Sequence, residues 1–247
     1  MRLSFGSSRR VLTMGALTVA LSLAMGLSTS TRAEVPASAA GAASAAASSS
    51  GEWTSNAPAG IDPNVFQLAL GAGQCAVRSG RVADPPTLTV IDYSKPSTSR
   101  RLWVFDLHAR ALVFEALVAH GQGSGDNLAT SFSNDPETHR SSIGLFVTSD
   151  TYIGKNGYSL RLDGLDEGFN DRARERAIVM HGASYVSDEF AHAHGRLGRS
   201  WGCPALPETV ARSVIDRVKG GSLVFSYYPD PRWLQSSRFL GSCQAAH

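Results

Sequence analysis

Cysteine is scarce and odd in number, with only Cys75, Cys203 and Cys243 in a chain of 247 residues. An odd count excludes complete pairing, so at least one thiol stays unpaired or pairs outside the chain. Charge is sparse as well, at 18% of residues, and nearly balanced. Four of the 23 basic residues, Arg2, Arg9, Arg10 and Arg32, stand in the first thirty-three positions, which leaves 19 basic against 21 acidic in the remainder. Such a body lacks the basic footprint of a nucleic-acid binder. The one long apolar run, Val11 to about Leu27, is broken by Thr13, Thr18 and Ser22 and falls short of the ~20 residues that a membrane span needs. No internal repeat is present, so nothing points to a solenoid.

What is there reads in three parts. Residues 1–33 combine a basic start, that apolar run and small residues up to Thr31-Arg32-Ala33, the pattern of an export signal. Ser8-Arg9-Arg10-Val11-Leu12 hints at the twin-arginine route. Residues 34–59 are rich in Ala, Ser and Gly with no periodic apolar face and read as a disordered spacer. Residues 60–247 form the folded body, with no stable membrane span once the signal is removed. An exported body meets oxidising conditions, and a Cys75–Cys243 bond tying its two ends together would leave Cys203 free. The alternative is that Cys75 is a small apolar residue on a helix face.

Asp62-Pro63 places a capping side chain before a proline at the first helical position, and Val65, Phe66, Ala69, Leu70, Ala76 and Val77 follow at helical spacing to about Ser79. After Pro85-Pro86 the pattern changes. Thr87–Tyr93, Arg101–Leu107, Ala111–Val118, Ser141–Thr148, Ala177–His181 and Ser222–Tyr228 are short runs rich in β-branched and aromatic residues, and they predict strands. Lys155-Asn156-Gly157-Tyr158 predicts a hairpin. Pro207-Glu208 opens a second helix with Val210, Val214, Ile215 and Val218 on one face and Gly220-Gly221 beyond its end. The expectation is a mainly β fold, sandwich or barrel, with one N-terminal helix and one helix following the Cys203 loop.

Cys203 sits in Ser200-Trp201-Gly202-Cys203-Pro204, a run that suits neither strand nor helix interior, so the thiol is expected on a turn. His181 ends an apolar strand twenty-two positions earlier. A thiol with a nearby imidazole suits nucleophilic acyl transfer, with amides beside the cysteine holding the oxyanion. Pro204 donates no N–H, which leaves Cys203, Gly202 and Trp201 as candidate donors. The helix opening near Pro207, His181 and Arg199 together predict a depressed thiol pKa. Otherwise His181 is an edge histidine satisfied by a backbone carbonyl. His192 and His194 read as solvated loop residues. With Cys203 they invite a zinc reading, but no fourth ligand or companion motif supports it, so no metal is expected. His120-Gly121 stands at a strand end able to line the same cleft.

His181-Gly182 with Ser200-Trp201-Gly202-Cys203 resembles the signature of the murein L,D-transpeptidase catalytic domains. Val90–Ser97, Ser131–Asn134, Gly157–Leu162 and Gly195–Ser200 extend the resemblance over about residues 60–230. It implies a β-rich fold in which Cys203 is the nucleophile, His181 the base, Gly202 with the cysteine's own amide the oxyanion region, and Ser200 the serine of the motif. The implied partners are peptidoglycan stem peptides, a donor tetrapeptide that loses D-alanine and an amine acceptor, and no cofactor is required. Two positions depart from the pattern. Pro204-Ala205 stands where the commoner branch has a basic residue, so Arg199 or Arg196 is expected to hold substrate alongside Trp201 and Gly182. Trp201 replaces a second histidine found in some members. The same residues fit a hydrolase that releases the thioester to water, or a wall-binding protein without activity.

Overall fold

The computed structural model describes residues 57–241 and 243. The expected export signal, and all but the last three positions of the expected spacer, lie outside the described residues.

The body opens with α1 (Pro63–Arg78), capped as the sequence predicts: the Asp62 carboxylate accepts from the amides of Asn64 and Val65. Its apolar spacing buries Val65, Phe66, Ala69, Ala72, Cys75 and Ala76. Each fully buried side chain of the size of Phe66 contributes on the order of 2 kcal/mol. Cys75, on that buried face, is disulfide-bonded to Cys243, and Cys203 is the free cysteine.

Eight strands follow: β1 (Thr87–Asp92), β2 (Leu102–Asp106), β3 (Ala111–Ala116), β4 (Gly144–Gly154), β5 (Gly157–Gly164), β6 (Val179–Ala183), β7 (Ala205–Pro207) and β8 (Leu223–Tyr227). They form one sheet in the order β3-β2-β1-β8-β4-β5-β6-β7. Along β1 and β2 alternate side chains enter different cores. Leu88, Val90, Trp103 and Phe105 pack with α1, while Ile91, Leu102 and Val104 join Met180, Val214 and Ile215 on the other face. The helix α3 (Glu208–Val218) supplies Val214 and Ile215, so both faces of the central strands are covered by helices.

The two edges of this sheet approach each other. Ala119, just past β3, bridges Ala205 of β7, with the Ala119 amide donating to the Ala205 carbonyl at 2.9 Å. The result is a nearly closed, mainly β barrel, with one helix at its start and one after the Cys203 loop, as the sequence predicts. Two short helices, α2 (Asp188–His194) and α4 (Pro231–Ser236), were not anticipated. His192 and His194 are exposed, as expected, but on α2 rather than on a loop. Among the described residues no helix is long and apolar enough to cross a membrane.

Candidate active site

The sulfur of Cys203 is placed by the parallel pairing of β6 and β7, in which His181 stands opposite Ala205. The His181 amide donates to the Pro204 carbonyl at 3.4 Å, which ties the ends of the two segments together. Behind His181, the amide of Val179 points at Cys203 Sγ, at 3.4 Å, and the Ala177 carbonyl lies 3.7 Å from the same sulfur. The segment that follows Cys203 is thus paired to the strand that carries His181, and the sulfur lies against the start of that strand.

Three contacts fold the loop before Cys203. Ser200 Oγ accepts from the Gly202 amide at 3.1 Å and donates to the Cys203 carbonyl at 2.6 Å. Gly202 takes φ +115°, and a Cβ there would meet the Arg140 carbonyl oxygen at 2.8 Å. Only glycine takes this conformation at this spacing without strain. Ser141 Oγ donates to the Gly202 carbonyl and accepts from the Gly121 amide. Because the Gly202 amide is turned inward, it is engaged. Among the described residues the amides of Cys203 and Trp201 make no hydrogen bond, so they are the free donors beside the sulfur.

His181 is 4% exposed, and its Nδ1 lies 2.9 Å from the Gly182 carbonyl. A carbonyl only accepts, so Nδ1 carries the proton of the neutral ring and Nε2 is left with its lone pair. Burial holds the His181 pKa below its ordinary value, opposed by that hydrogen bond. Gly182 thus orients the ring through its carbonyl.

The expected depressed thiol pKa is overturned. Cys203 is 8% exposed, not displayed, and burial raises its pKa. The Val179 amide and Arg176 pull it down by less. The helix beyond Pro207 begins only at Glu208, five residues on, and a helix terminus acts chiefly within its own first turn. At neutral pH the thiol of Cys203 and the imidazole of His181 are therefore both uncharged.

Arg176 is the cation that the sequence missed. Its guanidinium donates to the carbonyls of Ser133 and Arg140 and to Ser142 Oγ, drawing the 133–142 strap over Gly202. Its charge and that of Cys203 act on each other, and Tyr93 and Tyr185 also feel the sulfur. Arg199 and Arg196, expected to hold substrate, already have protein partners. Arg199 pairs with Asp126 at 2.8 Å and with the Gly125 carbonyl, and Arg196 bonds the Leu197 carbonyl.

His120 is fully buried behind the loop, where it does not line a cleft. Arg101 Nη2 donates to its Nδ1 at 2.7 Å, and Nε2 then donates to the Gly125 carbonyl. The His120 carbonyl in turn accepts the Ser200 amide at 3.0 Å. Burial and the neighbouring Arg101 push the His120 pKa down to about 4.

A family model described as L,D-transpeptidase catalytic domain matches residues 57–227. The chain belongs to that family. Its members are typically enzymes of the cell envelope acting on peptidoglycan peptides. No curated relative matches the chain. Among solved structures it is similar to the L,D-transpeptidase from Mycobacterium smegmatis at 13% identity, with TM-score 0.36 over 58% of this chain and 59% of that one. It is likewise similar to an L,D-transpeptidase from Stackebrandtia nassauensis, at 15% identity, TM-score 0.37, 67% of this chain and 68% of that one. A third is the helical cell shape determining protein Pgp2, as a K307A mutant, from Campylobacter jejuni, at 14% identity, TM-score 0.39, 67% and 56%. The chain spans less than two thirds of the mycobacterial proteins it matches. Membership is decided by the match over residues 57–227 and not by these distant structures.

Proposed function

We propose that the protein is a cysteine L,D-transpeptidase acting on peptidoglycan stem peptides. Residues 60–247 form the catalytic body, behind an export signal (1–33) and a spacer (34–59), and it works in the periplasm or cell envelope. The observation that carries this reading is the orientation of His181. With Nδ1 donating to Gly182, Nε2 is the ring atom able to take a proton, on a strand paired to the segment that follows Cys203.

In the first half-reaction His181 Nε2 takes the thiol proton as Cys203 Sγ attacks the carbonyl of the third, diaminopimelate residue of a tetrapeptide stem. The amide of Cys203, with that of Trp201, faces the oxyanion. When the C–N bond breaks, the imidazolium returns its proton to the departing D-alanine amine. In the second half the side-chain amine of another stem attacks the thioester and passes its proton to His181, and the C–S bond breaks. Proton transfer coupled to attack suits a site whose thiol and imidazole rest neutral. Arg176 stabilises the charge that then develops on sulfur. Ser200 and Gly202 hold the loop, while Arg199, Arg196 and Trp201 contact substrate. The Cys75–Cys243 disulfide suits an exported protein.

The test is incubation of purified protein with disaccharide-tetrapeptide, read by mass spectrometry. Cross-linked dimer with loss of D-alanine and a thioester on Cys203 is expected. Tripeptide monomer alone would replace transfer by hydrolysis, and turnover retained in Cys203→Ala would refute the mechanism.

A further inference from the structure

Trp201 stands apart from its own loop. Ser200, Gly202 and Cys203 around it are buried, whereas Trp201 is 68% exposed. A single exposed apolar side chain is ordinary on a protein surface, so its surroundings decide what it can do. This one is also braced. The His139 ring stacks on the indole with centroids 4.7 Å apart and planes 10° from parallel. His139 is itself fixed, since its Nδ1 accepts from Gln122 Nε2 at 2.9 Å and its carbonyl accepts the Gly123 amide at 3.0 Å. Its backbone takes φ +52° to do so. From the β4–β5 turn, Lys155 brings its Nζ to 5.9 Å from the indole centroid. Two separate segments thus flank the indole and still leave it 68% exposed.

An exposed aromatic ring with an amine donor nearby is matched to a pyranose ring. The C–H groups on one sugar face are apolar and stack on an indole, while the rim hydroxyl and acetamido oxygens accept from Lys155. Reach agrees with this assignment. Trp201 is two residues from Cys203, a separation of at most ~7 Å between Cα atoms, with the indole exposed, and a stem likewise spans ~7 Å from its first to its third residue. A donor whose third carbonyl lies at the sulfur therefore brings its sugar end to the level of the indole.

Resting on the transpeptidase reading above, we propose that Trp201, braced by His139 and with Lys155 near its ring, is a subsite for the N-acetylated sugar that bears the donor stem. The test uses the full chain carrying Cys203→Ala, so that binding is measured without turnover. By calorimetry, disaccharide-tetrapeptide is expected to bind about tenfold more tightly than the same tetrapeptide without sugar, the scale of one good stacking contact. Adding Trp201→Ala removes that advantage, and Trp201→Phe retains part of it. Equal affinity for the two ligands, or an advantage that survives Trp201→Ala, overturns the subsite. The two readings fail separately. Turnover by wild-type protein with no preference for the sugar-bearing donor sinks the subsite alone. Sugar-dependent binding with no release of D-alanine sinks the transpeptidase alone.

Discussion

Replacing Ser200 with alanine isolates what the motif serine does. Its hydroxyl bridges two backbone groups within the same turn, the Gly202 amide at 3.1 Å and the Cys203 carbonyl at 2.6 Å, and the residue is 6% exposed. Alanine keeps the volume of the β-carbon and strands both groups in a buried place. Each orphaned group costs about 1–3 kcal/mol, so the pair is worth about 3 kcal/mol after partial relaxation. In a body of this size that corresponds to a fall in melting temperature of roughly 6–12 °C. Calorimetric unfolding of Ser200→Ala against wild type measures this, and Ser200→Thr, which keeps the hydroxyl, is expected to recover most of the loss. The freed Cys203 segment also loses its fixed direction, so peptide turnover falls more steeply than stability alone dictates. An alanine variant with unchanged melting temperature would show that the hydroxyl bridges nothing of consequence.

Three further outcomes follow from the geometry. Because burial raises the Cys203 pKa, alkylation of the free protein by iodoacetamide should be slow at pH 7 and climb only above the ordinary thiol range, whereas a rate already at plateau near neutrality would contradict a buried neutral thiol. Arg176→Gln removes the cation facing the sulfur and loosens the 133–142 strap, so turnover should drop about tenfold or more and the alkylation profile should move to still higher pH, while Arg176→Lys retains part of both. His120, with its pKa lowered to about 4, resists protonation when folded but not when unfolded. Between pH 6.5 and 4 the unfolded chain therefore binds the extra proton, and stability present above pH 6.5 is lost on acidification, by about 3 kcal/mol in full. Denaturant titrations across that range should show the slope in wild type and a flatter one in His120→Gln.

The parts of the fold written into the sequence are those governed by local chemistry. Asp62-Pro63 announced α1, Lys155-Asn156-Gly157 turned β4 into β5, and Gly220-Gly221 ended α3, because capping and turn geometry depend on neighbours in the chain. The short β7 escaped notice because three residues beside Pro204 carry no alternation, and only the pairing with β6 makes them a strand. The helix α2 was legible in principle. Ser187 caps it, Asp188 and Glu189 begin it, and Gly195 closes it in the left-handed region, but its polar residues were read as loop. At the site, Cys203, His181, Gly202 and Ser200 were singled out from their residue types, spacing and family resemblance. Ser200, Gly202 and Cys203 share one hydrogen-bonded turn, and the segment after them pairs with the strand of His181. The environment of the thiol was misjudged, since a glycine-rich turn is usually exposed and nothing in the run tells that Trp201 faces out while Cys203 faces in. Arg176 was invisible for a related reason. Its meaning depends on the 133–142 strap, about forty residues away, lying over the loop.

The barrel's seam carries a consequence of its own. Where β3 gives way to the segment at Ala119, the cylinder is fastened to the far edge by a few bonds, Ala119 to Ala205, Ser200 to His120 and Gln122 to Ser200. Those same stitches hold the run that ends at the free sulfur. On the proposed mechanism the reactive joint is thus laced by few bonds, and breathing there disarms the chemistry before the rest of the cylinder unravels. Amide exchange at Ala119 and Ser200 would therefore time the enzyme's readiness, where exchange in β1 and β8 would time only its survival.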